Sequence, residues 1–113
     1  MQQTELLKGN LQTIVLKLLA DNGRMYGYEI TQKARELSEG NMMLTEGALY
    51  PTLHKLEAEG FVKTEVITLG KRIRKYYRLT HSGQSYVAGK IDEFIEFVSI
   101  MSRVLKLHPQ WVP

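Results

Sequence analysis

A run of basic side chains lies between Val66 and Ile91, a stretch that contains no Asp or Glu. Lysine and arginine in such a run bind the phosphate oxygens of nucleic acid, and this binding is tight at low salt and weakens steeply as salt rises. The alternative is a solvated surface segment without a partner. The basic residues of the run are Lys71, Arg72, Arg74, Lys75, Arg78 and Lys90. Of these, Lys71, Arg72 and Arg74 follow Gly70 and are expected to contact DNA from the tip of a turn.

A helix with one polar face precedes the basic run. It is predicted from Thr45 to Glu59, because Thr45 is a suitable N-cap and a glycine follows. At about 100° per residue, Leu49, Leu53 and Leu56 fall in one narrow sector that must face the core. The residues expected on the opposite, outward side are Gly47, Tyr50, Pro51, His54 and Lys55. Together with Thr52, they are expected to contact a DNA groove or its phosphates.

The side chains of that polar face suit different DNA contacts. Tyr50 and Thr52 can donate to phosphates, while Tyr50 and His54 can also reach base edges. A half-buried ring packed against a neighbouring helix is the alternative for Tyr50. Gly47 allows close approach to the backbone. Pro51 lacks the N–H that would bond toward Gly47, so it either kinks the helix early or marks where its regular part begins.

Two further helices are predicted on the N-terminal side. Apolar residues recur at three- and four-residue steps from Thr4 to Ala20, before a stop at Asp21–Gly23. The second helix runs from Tyr26 to Ser38 and is expected to bury Ile30, Ala34 and Leu37 on one stripe.

A β-hairpin is predicted after the polar-faced helix. Its strands run from Phe61 to Thr68 and from Arg74 to Leu79, around a turn at 69–72. Two strands alone are marginally stable, so Phe61, Leu79 and one tyrosine are expected to pack on the helices. A helix followed by a basic ribbon is typical of a winged helix-turn-helix, in which the helix enters the major groove and the ribbon grips the backbone. The predicted fold is therefore mainly α with a small β-hairpin (α+β).

A fourth, long helix is predicted to start near Thr80 and run to about Leu107, closed by His108–Pro109. Apolar residues recur along it at spacings of four and three, which is the a/d pattern of a coiled-coil seam. We expect this seam to join two copies of the chain, so that a two-fold dimer binds an inverted-repeat operator. Packing against the chain's own first helix is the competing interpretation. The predicted interface residues are Val87, Ile91, Phe94, Val98, Met101 and Leu105.

Length and composition limit the other possibilities. The 113 residues, of which 43% are hydrophobic, suffice for one domain. We expect a winged-helix domain at 1–79, a dimerisation helix at 80–108 and a short tail at 109–113. The absence of Cys excludes disulfides and thiolate metal sites. Because there is no apolar run of membrane-spanning length and no secretory signal pattern, a cytoplasmic location is expected.

Catalytic chemistry finds no support in the sequence. His54, His81 and His108 are far apart and lack metal-ligand spacing, and no glycine-rich phosphate loop occurs. No serine stands in a recognisable order with a base and an acid. We therefore predict a binding protein rather than an enzyme, without a metal or another cofactor.

Several segments together resemble the PadR family, the winged-helix regulators related to the phenolic acid decarboxylase repressor. In chain order they are KGNLQTIVLKLLA from Lys8, YGYEI from Tyr26, TEGALYPTLHKLEAEGFV from Thr45 and GKRIRKYYRLTHSG from Gly70. Each is weak alone, but the ordered set is specific, and with the last helix it spans nearly the whole chain.

The resemblance implies a homodimeric transcriptional repressor that binds operator DNA. In some members a small aromatic or cationic effector at the dimer interface releases the DNA. Phe94 stands where several relatives carry a Trp that stacks on such ligands, so a ligand would stack on Phe94 here; this role is not transferred to Trp111 in the tail. The runner-up function is a winged helix used for protein–protein assembly, whose signature would be an apolar wing and an apolar helix face.

Overall fold

The computed structural model describes residues 4–107, which form five helices and a three-stranded antiparallel sheet with strand order β1-β3-β2. This confirms the predicted α+β class. In chain order the elements are α1 (Glu5–Gly9), α2 (Leu11–Asn22), β1 (Met25–Tyr26), α3 (Gly27–Leu37), α4 (Glu46–Ala58), β2 (Val62–Leu69), β3 (Arg72–Leu79) and α5 (His81–Leu105). None of the helices within this described part is long and apolar enough to cross a membrane.

The single N-terminal helix predicted from Thr4 to Ala20 is two helices separated at Asn10. Thr4 caps the first, with its hydroxyl oxygen 3.1 Å from the N–H of Leu7. The side-chain amide of Asn10 donates back to the carbonyl of Leu6 at 2.7 Å. Asn favours such local bonds over continued helix, which explains the break. The longer α2 then supplies Val15, with no exposed surface, to the core.

The second predicted helix, from Tyr26 to Ser38, is one residue shorter at each end, and Tyr26 forms strand β1 with Met25 instead. They pair with Tyr77 and Tyr76 of β3. Ile30 and Ala34 are buried as predicted, but the burial predicted for Leu37 is wrong, since its side chain is 67% exposed. Leu37 lies on the same stripe at the last residue of α3, where no described neighbour covers it.

The hairpin is longer and its turn tighter than predicted. Strands β2 and β3 pair from Val62 opposite Leu79 to Leu69 opposite Arg72. Only Gly70 and Lys71 remain in the turn, and Gly70 has the positive φ of 61° that such a turn needs. Tyr77 is the tyrosine that enters the core, at 2% exposure. Phe61 and Leu79 are partly buried and pack against this core.

The core lies between the helices and one face of the sheet. Leu49, Leu53 and Leu56 of α4 are fully buried in it, as predicted. Val87 of α5 is buried there as well, at 4% exposure. Helix α5 therefore begins as a core helix of its own chain and continues beyond the core, toward Leu105.

The start of α5 is fastened to the junction between α4 and β2. Thr80 is its N-cap, accepting from the N–H of Gly83 at 3.0 Å. The hydroxyls of Thr80 and Ser82 donate to the carbonyl of Gly60 at 2.7 and 3.0 Å. The helix ends at Leu105, and its C-cap Lys106 has a left-handed φ of 57°. The predicted stop at His108–Pro109 and the predicted tail lie outside the described residues.

Gly83 provides the closest contact at this junction and generates a prediction. A Cβ at Gly83 would lie 2.1 Å from the carbonyl oxygen of Phe61, which is backbone and cannot swing aside. We expect Gly83→Ala to destabilise the fold by about 1–3 kcal/mol. Thermal unfolding followed by circular dichroism measures this as a drop in Tm.

The matched control is Gly89→Ala in the same helix, where a Cβ would meet no atom within 4 Å. It should raise stability by up to about 1 kcal/mol, because alanine favours helix. An equal Tm for the two variants would show that the contact at Gly83 does not constrain the fold.

Candidate nucleic-acid interface

Helix α4 presents a solvent-facing surface that its N-cap and its leucines orient. The hydroxyl of Thr45 accepts from the N–H of Ala48 at 3.3 Å, which confirms the predicted cap. With the leucines turned inward, four of the residues predicted to contact DNA are exposed to solvent. They are Gly47, Pro51, His54 and Lys55.

Tyr50 and Thr52 do not share this exposure. Both are half-buried on the flanks of α4. The hydroxyl of Thr52 donates to the carbonyl of Ala48 at 3.0 Å, so its proton is already used within the helix. The ring of Tyr50 packs against the core and reaches Gly27 at the start of α3. Its predicted orientation, opposite the leucines, is wrong, and the packed alternative describes it.

Pro51 lies within a continuous helix. The helix begins at Glu46, five residues earlier, so Pro51 does not mark the start of its regular part. Its ring nevertheless replaces the N–H that would bond to the carbonyl of Gly47. The exposed face of α4 is therefore built around a residue that is unfavourable for helix.

Lys8 borders the same surface, although the sequence argument did not select it. A groove of 540 Å³ between α1, the start of α2 and the first turns of α4 is lined by Lys8, Leu11, Thr45, Gly47, Ala48, Pro51 and Thr52. The lysine side chain thus stands beside the N-terminal end of α4, where backbone N–H groups and the helix dipole also favour an anion. The only sequence signal for Lys8 was its place as the first residue of the KGNLQ segment that resembles the PadR family.

The hairpin carries its charge mainly on the face turned away from the core. Side chains alternate along a strand, and Val62 and Tyr77 point inward. The register therefore sets Lys63 beside Arg78 on the outer face, with Arg74 and Arg72 toward the turn. Lys71 and Arg72 are exposed at the tip, as predicted. Lys63 is a further basic residue that the sequence argument missed, because it precedes the acid-free run.

Arg74 is held by aromatic rings. Its guanidinium carbon lies 4.4 Å from the ring centroid of Tyr26, which meets Tyr76 edge-on at 5.5 Å. Arg24 lies 5.0 Å from the ring centroid of Tyr76 and forms an ion pair of 2.6 Å with Glu65. The two guanidinium groups thus lie over a tyrosine pair that bridges β1 and β3. Arg74 is half-buried beside the start of α3 and is not a free residue of the tip.

The hairpin also exposes apolar side chains. Val66, Leu69 and Ile73 are 64%, 45% and 73% exposed. They lie near the basic tip, so the end of the hairpin combines positive charge with apolar surface.

Helix α5 exposes a broad apolar surface beyond the core. The predicted seam is only partly available for an interface. The assignment of Val87 to it is wrong, because Val87 is buried in its own chain. The side chains of Ile91, Val98 and Met101 are half-buried. Phe94 and Leu105 are 42% and 55% exposed. The exposed apolar residues of this part of α5 that the seam omitted are Ile95, Phe97, Ile100 and Val104.

An apolar groove of 460 Å³ runs between this helix and the N-terminal helices. Its lining includes Leu6 and Leu7 of α1, Ile14 of α2, and Ile91 and Phe94 of α5. Leu6 is 75% exposed.

Within residues 4–107, no cluster of three His, Asp or Glu side chains could hold a metal ion.

A polar-faced helix beside a basic antiparallel hairpin, both supported by one small core, defines the winged-helix class of DNA-binding proteins. Residues 15–89 match the transcriptional regulator PadR-like family, and the chain belongs to this family. Its members are transcriptional regulators and not enzymes, in agreement with the function predicted from the sequence.

The chain is also similar to individual solved structures and curated relatives. A transcriptional regulator from Clostridium thermocellum has a TM-score of 0.78 and 29% identity, covering 91% of this chain and 96% of the other. PadR from Bacillus subtilis, solved in complex with operator DNA, has a TM-score of 0.65 and 32% identity, covering 72% of this chain and 46% of the other. The transcriptional regulator Rv3488 of Mycobacterium tuberculosis is 39% identical over 71 residues, 63% of each chain.

The proline of α4 generates a prediction. Replacing the exposed Pro51 by alanine restores a helix hydrogen bond and removes a clash with the preceding turn, so Pro51→Ala should raise stability by about 1–3 kcal/mol. Thermal unfolding measures the change. Lys55→Ala on the same exposed face is the control, expected within about 0.5 kcal/mol of the parent. A lower Tm for Pro51→Ala would mean that the proline fits the local backbone without cost.

Proposed function

We propose that this PadR-family regulator is a homodimeric repressor that binds an inverted-repeat operator in duplex DNA. The observation that carries the proposal is the exposed face of α4 beside the basic hairpin. The B. subtilis relative, whose matched region resembles this chain, was solved with operator DNA.

In this proposal α4 enters the major groove and the hairpin follows the phosphates. Gly47, Pro51 and His54 lie on the exposed side of α4, where His54 can bond to base edges. Lys55 and Lys8 flank that side and suit phosphates. Lys71, Arg72 and Arg74 supply further charge, the first two from the tip and Arg74 from its stacked position.

Dimerisation is proposed through the apolar surface of α5. Exposed apolar residues lie on several sides of the second half of α5, and contiguous apolar surface marks a protein contact. The groove beside Phe94 extends this surface to α1. A second copy that covers both would bury Phe94, Leu105 and Leu6 together.

The same groove suits a small hydrophobic or aromatic effector. Its lining is almost wholly apolar, and Phe94 offers a ring for stacking. Binding there would alter the relation between α5 and the N-terminal helices, and thereby the spacing of the two DNA-contacting helices of a dimer.

Protein–protein assembly through the hairpin is the second candidate function. The exposed Val66, Leu69 and Ile73 favour it, because an apolar wing is its expected signature. The basic residues on the same hairpin favour DNA.

DNA binding is tested by fluorescence anisotropy with labelled DNA from directly upstream of the chain's own gene and with a shuffled control. The protein should prefer the native sequence, and Lys71→Ala with Arg72→Ala should weaken binding to both DNAs. The slope of log affinity against log salt should flatten by about 0.9 for each phosphate that the variant no longer neutralises.

The control for this pair is Lys33→Ala with Arg35→Ala. Both residues lie on α3, outside the hairpin and the apolar groove; Arg35 is exposed, and Lys33 is half-buried and pairs with Glu36. Weak binding of the parent protein, equal for both DNAs, would favour the assembly function.

Dimerisation is tested with Leu105→Glu. Leu105 is 55% exposed, so a carboxylate there is tolerated by the single chain but would be buried and unpaired in the proposed dimer, at a cost of several kcal/mol. Light scattering after size exclusion should show monomers, with loss of operator binding. Leu37→Glu, at a leucine of α3 that is 67% exposed, should leave the dimer intact. A dimeric Leu105→Glu variant would contradict this interface.

A further inference from the structure

A contact between α4 and the start of α3 stands apart from the DNA-facing residues. Gly27, the first residue of α3, is buried. A Cβ at this position would lie 2.3 Å from the hydroxyl oxygen of Tyr50, 2.8 Å from its Cζ and 3.2 Å from its Cε1. The end of the tyrosine ring therefore rests directly on the backbone of Gly27, in space that any other residue would fill.

The requirement for glycine at this position comes from the contact and not from the backbone. The glycines with positive φ in the described chain are Gly23, Gly40, Gly60 and Gly70. Gly27 is not among them, so alanine could adopt its conformation. Alanine would also favour the helix that begins there. The ring of Tyr50 is thus what excludes a side chain.

The backbone at Gly27, on which the Tyr50 ring rests, is held by two neighbouring elements. Tyr26, just before it, pairs with Tyr76 of β3. The carboxylate of Glu29 accepts from the N–H of Tyr26 at 3.1 Å and fixes the first turn of α3. Strand and helix cap together leave this backbone little freedom, so a ring that rests on it locates α4 as well.

The ring also connects to the core and to the DNA-facing side of α4. The Tyr50 ring packs against the core that contains Tyr77. Burial raises the pKa of the Tyr77 hydroxyl, and Tyr50 and Glu57 raise it further. One turn along α4, the ring of His54 lies 6.4 Å from that of Tyr50. The position of the Tyr50 ring therefore influences the direction of the His54 side chain.

We propose that Tyr50 is a positioning residue, which sets the packing of α4 on α3 by resting on Gly27 and thereby aims His54 at the bases. It does not read DNA itself. This role rests on the proposed function, because positioning matters only if α4 binds DNA. It also explains why glycine separates the two tyrosines of the YGYEI segment.

The contact is tested first without DNA, by thermal unfolding of Gly27→Ala, Tyr50→Leu and the double variant. Gly27→Ala should lower Tm by about 4 °C or more in the parent, but much less when the shorter leucine replaces Tyr50. Gly89→Ala, in open space, should have the same effect in both backgrounds. Additive effects of Gly27→Ala and Tyr50→Leu would overturn the proposed contact.

The positioning role is tested by the ratio of affinities for operator and shuffled DNA. Tyr50→Phe keeps the ring and should stay within about twofold of the parent ratio, whereas Tyr50→Ala and Gly27→Ala should lower it about tenfold. A hydroxyl that bonds to a base would instead make Tyr50→Phe as poor as Tyr50→Ala.

The two proposals fail in different ways. A parent protein that prefers its operator, with a Tyr50→Phe variant that does not, would overturn the positioning role alone. A parent protein that does not distinguish the two DNAs would overturn the proposed function and the positioning role with it.

Discussion

The fold depends on the close approach of α5 to the residues that end α4. Gly60 has a φ of 82°, which turns the chain out of the helix, and its carbonyl accepts from two hydroxyls at the start of α5. Phe61 follows with its backbone against Gly83 and its ring stacked on Tyr86 at 3.9 Å. The hairpin register begins one residue later, at Val62. One junction therefore sets where α4 stops, how the hairpin is paired and which way the long helix leaves.

The short strand β1 complements that junction at the other edge of the sheet. It connects the start of α3 to β3, so that the sheet is attached to the helices on both sides. The tyrosine pair across β1 and β3 then orders two arginines, one of them neutralised by Glu65. Contact with a ring lowers the entropy that a long basic side chain loses on binding. The hairpin thus combines exposed basic side chains at its tip with Arg74, which is half-buried against the ring of Tyr26.

Much of this arrangement follows from sequence, because periodic burial and capping act locally. The buried sector of α4, the cap at Thr45 and the start of α5 near Thr80 needed no knowledge of distant residues. Strand β1 escaped prediction, since two residues carry no period. Tyr50 was misplaced because it lies about 100° from Leu49, a flanking angle whose burial depends on the neighbour that covers it. Val87 was assigned to a seam because the repeats of a coiled coil and of a core helix coincide over the first turns.

Helix α1 depends on tertiary contacts for its stability. Five residues are too few for a helix to persist on its own in water, since nucleation is costly and few bonds repay it. Leu7 anchors α1 to the core, while Leu6 faces the open side of the apolar groove. Because Leu6 and Leu7 both line the groove, any surface that closes the groove would bury more of α1 and raise the free energy of its local opening. Occupancy of the groove and helical order in α1 would then favour each other.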